Sequence, residues 1–281
     1  MSPFLSVRAF DFLRKASLKS LNIRWWRTVF GVEEVGAVKK AFSMEYISQG
    51  PVTEQFEAKF AEAMDVPYAV ATTSGSVALL MALMAMGIKR GDEVIVPNRT
   101  FIATAHAPLL LGARVVLVDV LRDVPVMDVA LIKKKITSRT KAIMPVHLCG
   151  RAVNMSEIHL LAKAYGLSVI EDACQAMFSK NKTGFLGTQS DAGCFSLGVT
   201  KLLSTGQGGI IVTRNRRTYE ELKLVRNHGV PGTFDATYPR LGFNFKFTDI
   251  QAAIGSVSYT HLGWGSPTST CPPRLHDQEM A

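Results

Sequence analysis

Ser168-Val169-Ile170-Glu171-Asp172 is the stretch from which the architecture of this chain can be read. Val169 and Ile170 stand together without polar alternation, the mark of a strand covered on both faces, as in a parallel sheet between helical layers. Comparable β-rich runs fall at Val66-Ala71, Glu93-Pro97, Arg114-Asp119, Lys141-His147, Ala192-Leu197 and Gly208-Thr213. Helical patterns separate them. The helix after Thr53 puts Phe56, Phe60 and Met64 on one face, and Val77-Met86 is apolar all round and belongs in the interior. Ile102-Leu111 and Ser156-Tyr165 end at Gly112 and Gly166, each a left-handed cap. Tyr219-His228 is a further helix, and Thr248-Asp249-Ile250-Gln251 is a capping box. The expected fold is α/β, a three-layer, mostly parallel, seven-stranded sheet. In such sheets ligands collect at the carboxyl ends of the strands.

The opening stretch also poses a chemical question. Glu171 and Asp172 place two acids at the end of a buried strand, where an ionised carboxylate is costly unless a cation meets it. A structural salt bridge is the simplest answer. A second strand end, Phe195-Ser196-Leu197-Gly198-Val199-Thr200-Lys201, supplies an amine ahead of the turn Gly206-Gln207-Gly208-Gly209. A lysine facing a carboxylate across a cavity either pairs with it or grips a third body together with it. Pyridoxal 5'-phosphate asks for this set: an amine for a Schiff base, an acid for the pyridinium nitrogen, and hydroxyl or amide donors for phosphate. Thr72-Thr73-Ser74-Gly75-Ser76 follows a strand and opens the buried helix, so backbone N–H groups and the helix dipole face an anion there.

These residues carry a family resemblance. Gly50-Pro51 through Phe56-Glu57, Ser74-Gly75-Ser76, Gly91 to Pro97, Thr100-Phe101-Ile102-Ala103-Thr104 and Pro145 to Gly150 resemble the DegT/StrS-type nucleotide-sugar aminotransferases. So do Glu171-Asp172-Ala173-Cys174-Gln175-Ala176, Phe195 to Lys201, and Gly242-Phe243-Asn244 to Gly255. The resemblance covers about residues 30 to 255, with its motifs in order, and it implies the type I fold of the pyridoxal-phosphate transferases. It further implies that Lys201 anchors the cofactor covalently and shuttles a proton, while Asp172 keeps the ring nitrogen protonated. Gln175 would sit near the phenolic oxygen and Phe101 would stack on the ring, although a core aromatic is an equal reading of Phe101. Ser74, Gly75, Ser76 and Ser196 would hold the phosphate. Asn244 would reach the phosphate of a neighbouring subunit, which implies a homodimer. The implied reaction moves an amino group from an amino acid, glutamate in this family, to a keto group of a nucleotide-linked deoxysugar, for surface polysaccharide or lipopolysaccharide.

The family pattern continues past Gly255 with a long helix and a smaller domain. Here the sequence turns Ser/Thr/Pro-rich from Ser256, so the small C-terminal domain is expected to be largely missing and 256–281 to be a non-native or disordered tail. Residues 1–30 read as an N-terminal arm, and 31–255 as the cofactor-binding large domain with the start of the small one. Some family members are dehydratases with histidine in place of the lysine, a reading that Lys201 argues against. A non-catalytic or regulatory homologue is a second alternative. A nicotinamide oxidoreductase would need G-x-G-x-x-G after the first strand, and Thr72 to Ser76 is not that.

With 47% hydrophobic and 20% charged residues in 281, the chain can bury a large core, so disorder is not its expected state. The net charge of +9 carries no nucleic-acid motif, and the basic residues are scattered apart from Lys133-Lys134-Lys135 and an N-terminal group from Arg8 to Arg27. They read as solvated surface, with neither nucleic acid nor membrane as partner. Val77-Ile88 is too short to span a bilayer. Four cysteines without C-x-x-C suggest neither a disulfide framework nor a zinc site, which fits the cytoplasm. His106, His147, His159 and His228 lack ligand spacing, so no metal is expected.

Overall fold

Successive residues of the central strands go to different helical layers, which is why their sequences show no polar alternation. The computed structural model describes residues 28–261 apart from Val29, Tyr46 and residues 232–236. The arm before Thr28 and the residues from 262 onward lie outside the described part.

The strands are β1 (Tyr68–Thr72), β2 (Glu93–Pro97), β3 (Arg114–Val118), β4 (Thr140–Ile143), β5 (Ser168–Asp172), β6 (Lys180–Asn181), β7 (Gly184–Phe185), β8 (Ala192–Ser196) and β9 (Gly209–Thr213). All but β6 and β7 form one seven-stranded sheet in the order β1-β9-β8-β5-β4-β2-β3, the seven strands legible in the sequence. From β8 to β3 every pairing is parallel, while β9 runs antiparallel to both β8 and β1. On β2, Val94 and Val96 join one core and Ile95 another. On β5, Ile170 and Val169 divide in the same way.

The helices are α1 (Val32–Ser43), α2 (Pro51–Ala63), α3 (Gly75–Ala85), α4 (Ala103–Leu110), α5 (Met155–Tyr165), α6 (Arg216–Arg226) and α7 (Asp249–His261). α3 is the apolar interior helix, with Leu79, Met81, Ala82 and Leu83 at most 1% exposed. Phe56 and Phe60 of α2 pack with Phe195 and Phe247 on the opposite face of β8 and β9. The α2 N-terminus is held by a distant acid. Asp249 Oδ1 accepts from the backbone N–H of Gly50 at 2.8 Å and Thr53 at 3.0 Å, and from the Thr53 hydroxyl at 2.7 Å.

Four local readings are revised. β4 stops at Ile143 rather than running to His147, because Pro145 has no N–H for the ladder; beyond it a single bridge joins Val146 to Asp172. α6 begins at Arg216 because Asn215 caps it, its side chain accepting from Thr218 N–H. It ends before His228, whose φ of 57° leaves the helical region. α7 does not fade at Ser256 but runs to His261. Ser and Thr weaken a helix without breaking it, and α1 packs along α7, where Ser258 Oγ donates to Glu34 Oε1 at 3.4 Å.

Candidate active site

The carboxyl ends of β5 and β8 and the N-termini of α3 and α4 surround a cleft of about 430 Å³, within the roughly 300–1,000 Å³ usual for small-molecule sites. Asp172, at the end of β5, is 5% exposed. Its Oδ2 accepts from the Thr104 hydroxyl at 2.7 Å, and its Oδ1 from the backbone N–H of Cys174 at 3.2 Å. Among the described residues no cation forms an ion pair with it, and Lys201 forms none either. The carboxylate and the amine therefore line one cleft without pairing, and a salt bridge does not account for either.

Glu171, the adjacent acid, is fully buried and points elsewhere. It accepts three N–H donors: Gly187 and Gln189, each at 2.8 Å, and His147 Nε2 at 2.9 Å. Val153 N–H donates to His147 Nδ1 at 3.2 Å, which leaves Nε2 as the ring nitrogen that donates to Glu171. Of the two acids in the opening stretch, Glu171 fastens loops and Asp172 faces the cleft.

The anion cradle depends on two close backbone approaches. Ser74 caps α3, its Oγ accepting from Val77 N–H at 3.2 Å. A Cβ on Gly75 would stand 2.8 Å from Ser196 Cβ, and one on Gly209 would stand 2.3 Å from the Ser74 carbonyl oxygen. Glycine at both positions lets the turn lie against the ends of β8 and β9. The first N–H groups of α3 have no partner inside the helix and open at the cleft.

Lys201 sits in a turn after β8, its N–H donating to the Gly198 carbonyl at 2.9 Å. The Thr28 hydroxyl donates to the Val199 carbonyl at 2.7 Å, tying the start of the described chain to this turn. Phe101 is 65% exposed at the rim, which rules out the core reading of that ring. Gln175 lines the cleft and accepts from Cys149 N–H at 3.1 Å. Burial, and then the negative charge of Asp172, push the Cys174 thiol well above its usual range, so it stays protonated beside the cleft.

The cleft thus gathers Ser74, Gly75, Ser76, Phe101, Asp172, Gln175, Ser196 and Lys201. Asn244 does not line it; it is exposed, bridged to Asn227, with its Oδ1 accepting from Lys246 N–H at 3.4 Å. Sequence reasoning gave Thr104 no role, although a hydroxyl on the buried side of a helix's first turn is itself a signal. Thr100, Val146 and Gln207 were likewise unassigned and line the cleft.

A donor set of this kind fits pyridoxal phosphate. A buried carboxylate lacking a cation suits a protonated ring nitrogen, an open helix N-terminus suits a phosphate, and an uncovered aromatic suits a planar ring.

Comparison with known proteins gives a concordant result. Residues 29–266 match the model of the DegT/DnrJ/EryC1/StrS aminotransferase family. GDP-perosamine synthase of Escherichia coli O157:H7 is 41% identical over 208 residues, 74% of this chain and 57% of that protein. The chain therefore spans little more than half the length of that relative. Among solved structures, S. venezuelae DesV in complex with a ketimine intermediate has a TM-score of 0.79 at 34% identity, over 93% of this chain and 66% of that one. A GDP-4-keto-6-deoxymannose-3-dehydratase with a trapped PLP-glutamate geminal diamine has a TM-score of 0.79 at 27% identity, over 85% of this chain and 68% of that one.

Proposed function

The chain belongs to the DegT/DnrJ/EryC1/StrS aminotransferase family, and on that footing we propose that it is a pyridoxal-phosphate-dependent aminotransferase acting on a keto group of a nucleotide-linked deoxysugar. The observation that carries this reading is the buried Asp172 carboxylate, without a cation, in the same cleft as the unpaired Lys201 amine.

When bound, pyridoxal phosphate supplies a reactive aldehyde and a ring that accepts electrons from the substrate carbon. Lys201 would anchor the cofactor through its side-chain amine, and the same amine would hold and move the proton at the reacting carbons. Asp172, held by Thr104 and the Cys174 N–H, keeps the ring nitrogen protonated. Ser74, Gly75, Ser76 and Ser196 would hold the phosphate at the α3 N-terminus, Phe101 would stack on the ring, and Gln175 would serve the phenolic oxygen. Asn244, which is exposed and does not line its own chain's cleft, would complete the phosphate site of a second subunit in a homodimer.

Glutamate is the amino donor in this reading and a GDP-linked 4-keto-6-deoxysugar the acceptor, the nucleotide being suggested by the name of the E. coli relative. The product feeds surface polysaccharide, and the enzyme works in the cytoplasm. Among the described residues no helix is long and apolar enough to cross a membrane. The Lys201 amine favours transamination over dehydration.

The test incubates cofactor-loaded protein with glutamate and then with GDP-4-keto-6-deoxymannose. Release of 2-oxoglutarate, followed by an aminated sugar nucleotide in the mass spectrum, supports the proposal. A dehydrated sugar nucleotide, or no 2-oxoglutarate from folded, loaded protein, overturns it.

A further inference from the structure

The basic residues that look scattered in the sequence converge on the edge of the sheet opposite the cleft. Lys89 and Arg90 lead into β2, Arg114 opens β3, and the stretch from Lys133 to Lys141 leads into and opens β4. These three strands are neighbours in the order β4-β2-β3, and Arg114 and Thr140 both stand in register with Glu93. Their lead-ins therefore lie side by side, with strands about 4.8 Å apart. Contacts join them: Gly91 N–H donates to the Gly112 carbonyl, and Glu93 accepts from both Arg114 and Arg139.

The charge on this edge is one-sided. Eight lysines and arginines fall in the three lead-ins against two acids, Asp92 and Glu93. Both acids are nearly buried, at 9% and 1% exposure. Glu93 is committed to Arg114 and Arg139, and Asp92 accepts from the Lys89 N–H. Among the described residues, Arg90, the three consecutive lysines and Lys141 form no ion pair, and all are exposed. Leu109 and Leu110, at the end of α4 just before the Gly112 turn that packs on Arg90, are 53% and 74% exposed.

We infer that this edge docks the protein on an anionic lipid surface. A row of unpaired cations is attracted to acidic headgroups by about fivefold in affinity per lysine or arginine, and two adjoining leucines can enter the acyl boundary. The leucines offer no ring face for base stacking, which favours lipid over single-stranded nucleic acid. With the edge on the bilayer the catalytic cleft faces the aqueous side, since the strands from β8 to β3 run parallel and the cleft lies at the carboxyl end of that sheet while the lead-ins lie at its amino end. This goes beyond the proposed catalytic activity and stands independently of it.

The test is flotation of cofactor-loaded protein with phosphatidylcholine vesicles, with and without phosphatidylglycerol. Binding is expected only with the acidic lipid and should fade as salt is raised. Lys133→Gln, Lys134→Gln and Lys135→Gln together should weaken it about a hundredfold, while the three Lys→Arg changes retain it. Both variants should keep the parent's cofactor absorbance, which separates this outcome from failure of the catalytic reading. The inference is overturned if the parent ignores acidic vesicles at low salt, if the glutamine variant binds as well as the parent, or if duplex DNA at equal phosphate strips the protein from the vesicles.

Discussion

The Thr104 hydroxyl, in the first turn of α4, donates its proton to the Asp172 carboxylate at 2.7 Å. Thr104 Oγ1 also lies 2.8 Å from Thr100 Oγ1. A hydroxyl has one proton, so Thr100 must donate to Thr104, and a short relay ends on Asp172, the one acid that lines the cleft among the described residues. Thr104→Val leaves a buried carboxylate short of a donor. It should lose about 1–3 kcal/mol in urea unfolding and bind pyridoxal phosphate more weakly. Thr104→Ser should restore both, and equal losses in the two variants would assign the effect to packing.

Gly75→Ala places a methyl group where only 2.8 Å separates it from Ser196 Cβ. Ser196 Cβ is fixed by its own backbone, whose Cα lies 3.2 Å from the same methyl position, so the α3 N-terminus must move away from β8. The expected result is a loss of about 1–3 kcal/mol, as in other overpacked sites, with a larger loss of affinity for the cofactor phosphate. Titration with pyridoxal phosphate beside a denaturation curve measures the two effects separately.

The two adjacent acids should respond in opposite ways to loss of charge. Glu171→Gln puts an amide where three N–H groups converge, so at least one donor meets another donor. A destabilisation of about 2 kcal/mol or more is expected. Asp172→Asn removes a buried charge that has no cation among the described residues. Cofactor-free Asp172→Asn protein should be no less stable than the parent and yet inactive. A large stability loss in Asp172→Asn would show that the acid serves the fold.

Acid should weaken the basic edge of the sheet. The Thr137 hydroxyl bond, followed by Arg139 and Arg114, holds the Glu93 carboxyl below its ordinary value of 4.5. Its folded-state value is thus below its unfolded one, so its contribution is complete above the ordinary value and is lost as pH falls through the folded one. The unfolding midpoint should drop on acidification below about 4.5, and Glu93→Gln should flatten that part of the profile. An unchanged slope in the variant would assign the acid sensitivity to other carboxylates.

The sheet was legible because strands such as β2 and β9 are buried on both faces and so write unbroken apolar runs, while the edge strand β3, with Arg114 and Leu117 exposed, still carries a β-branched run. The hairpin of β6 and β7 was not, since two-residue strands carry no periodicity. Boundaries failed where a tertiary contact or a missing donor decides them, as at the end of α7 and at Pro145, and where a local cap went unread, as at Asn215. In the cleft, residues announced by strand ends and glycine turns were readable. Thr104 was hidden because its partner is 68 residues away. Asn244 does not line its own chain's cleft, and the basic edge emerges only when three lead-ins are brought together.

The central claim is that Lys201 is the covalent anchor of pyridoxal phosphate, with Asp172 as the partner of its ring nitrogen. The most direct measurement adds the cofactor to purified protein, records the absorption spectrum, reduces with borohydride and maps the modified peptide by mass spectrometry. A new absorption band, a reduced adduct on Lys201, and the absence of both in a folded Lys201→Ala variant are the predicted result. An adduct on another lysine, or an unaltered band in the variant, would contradict the account.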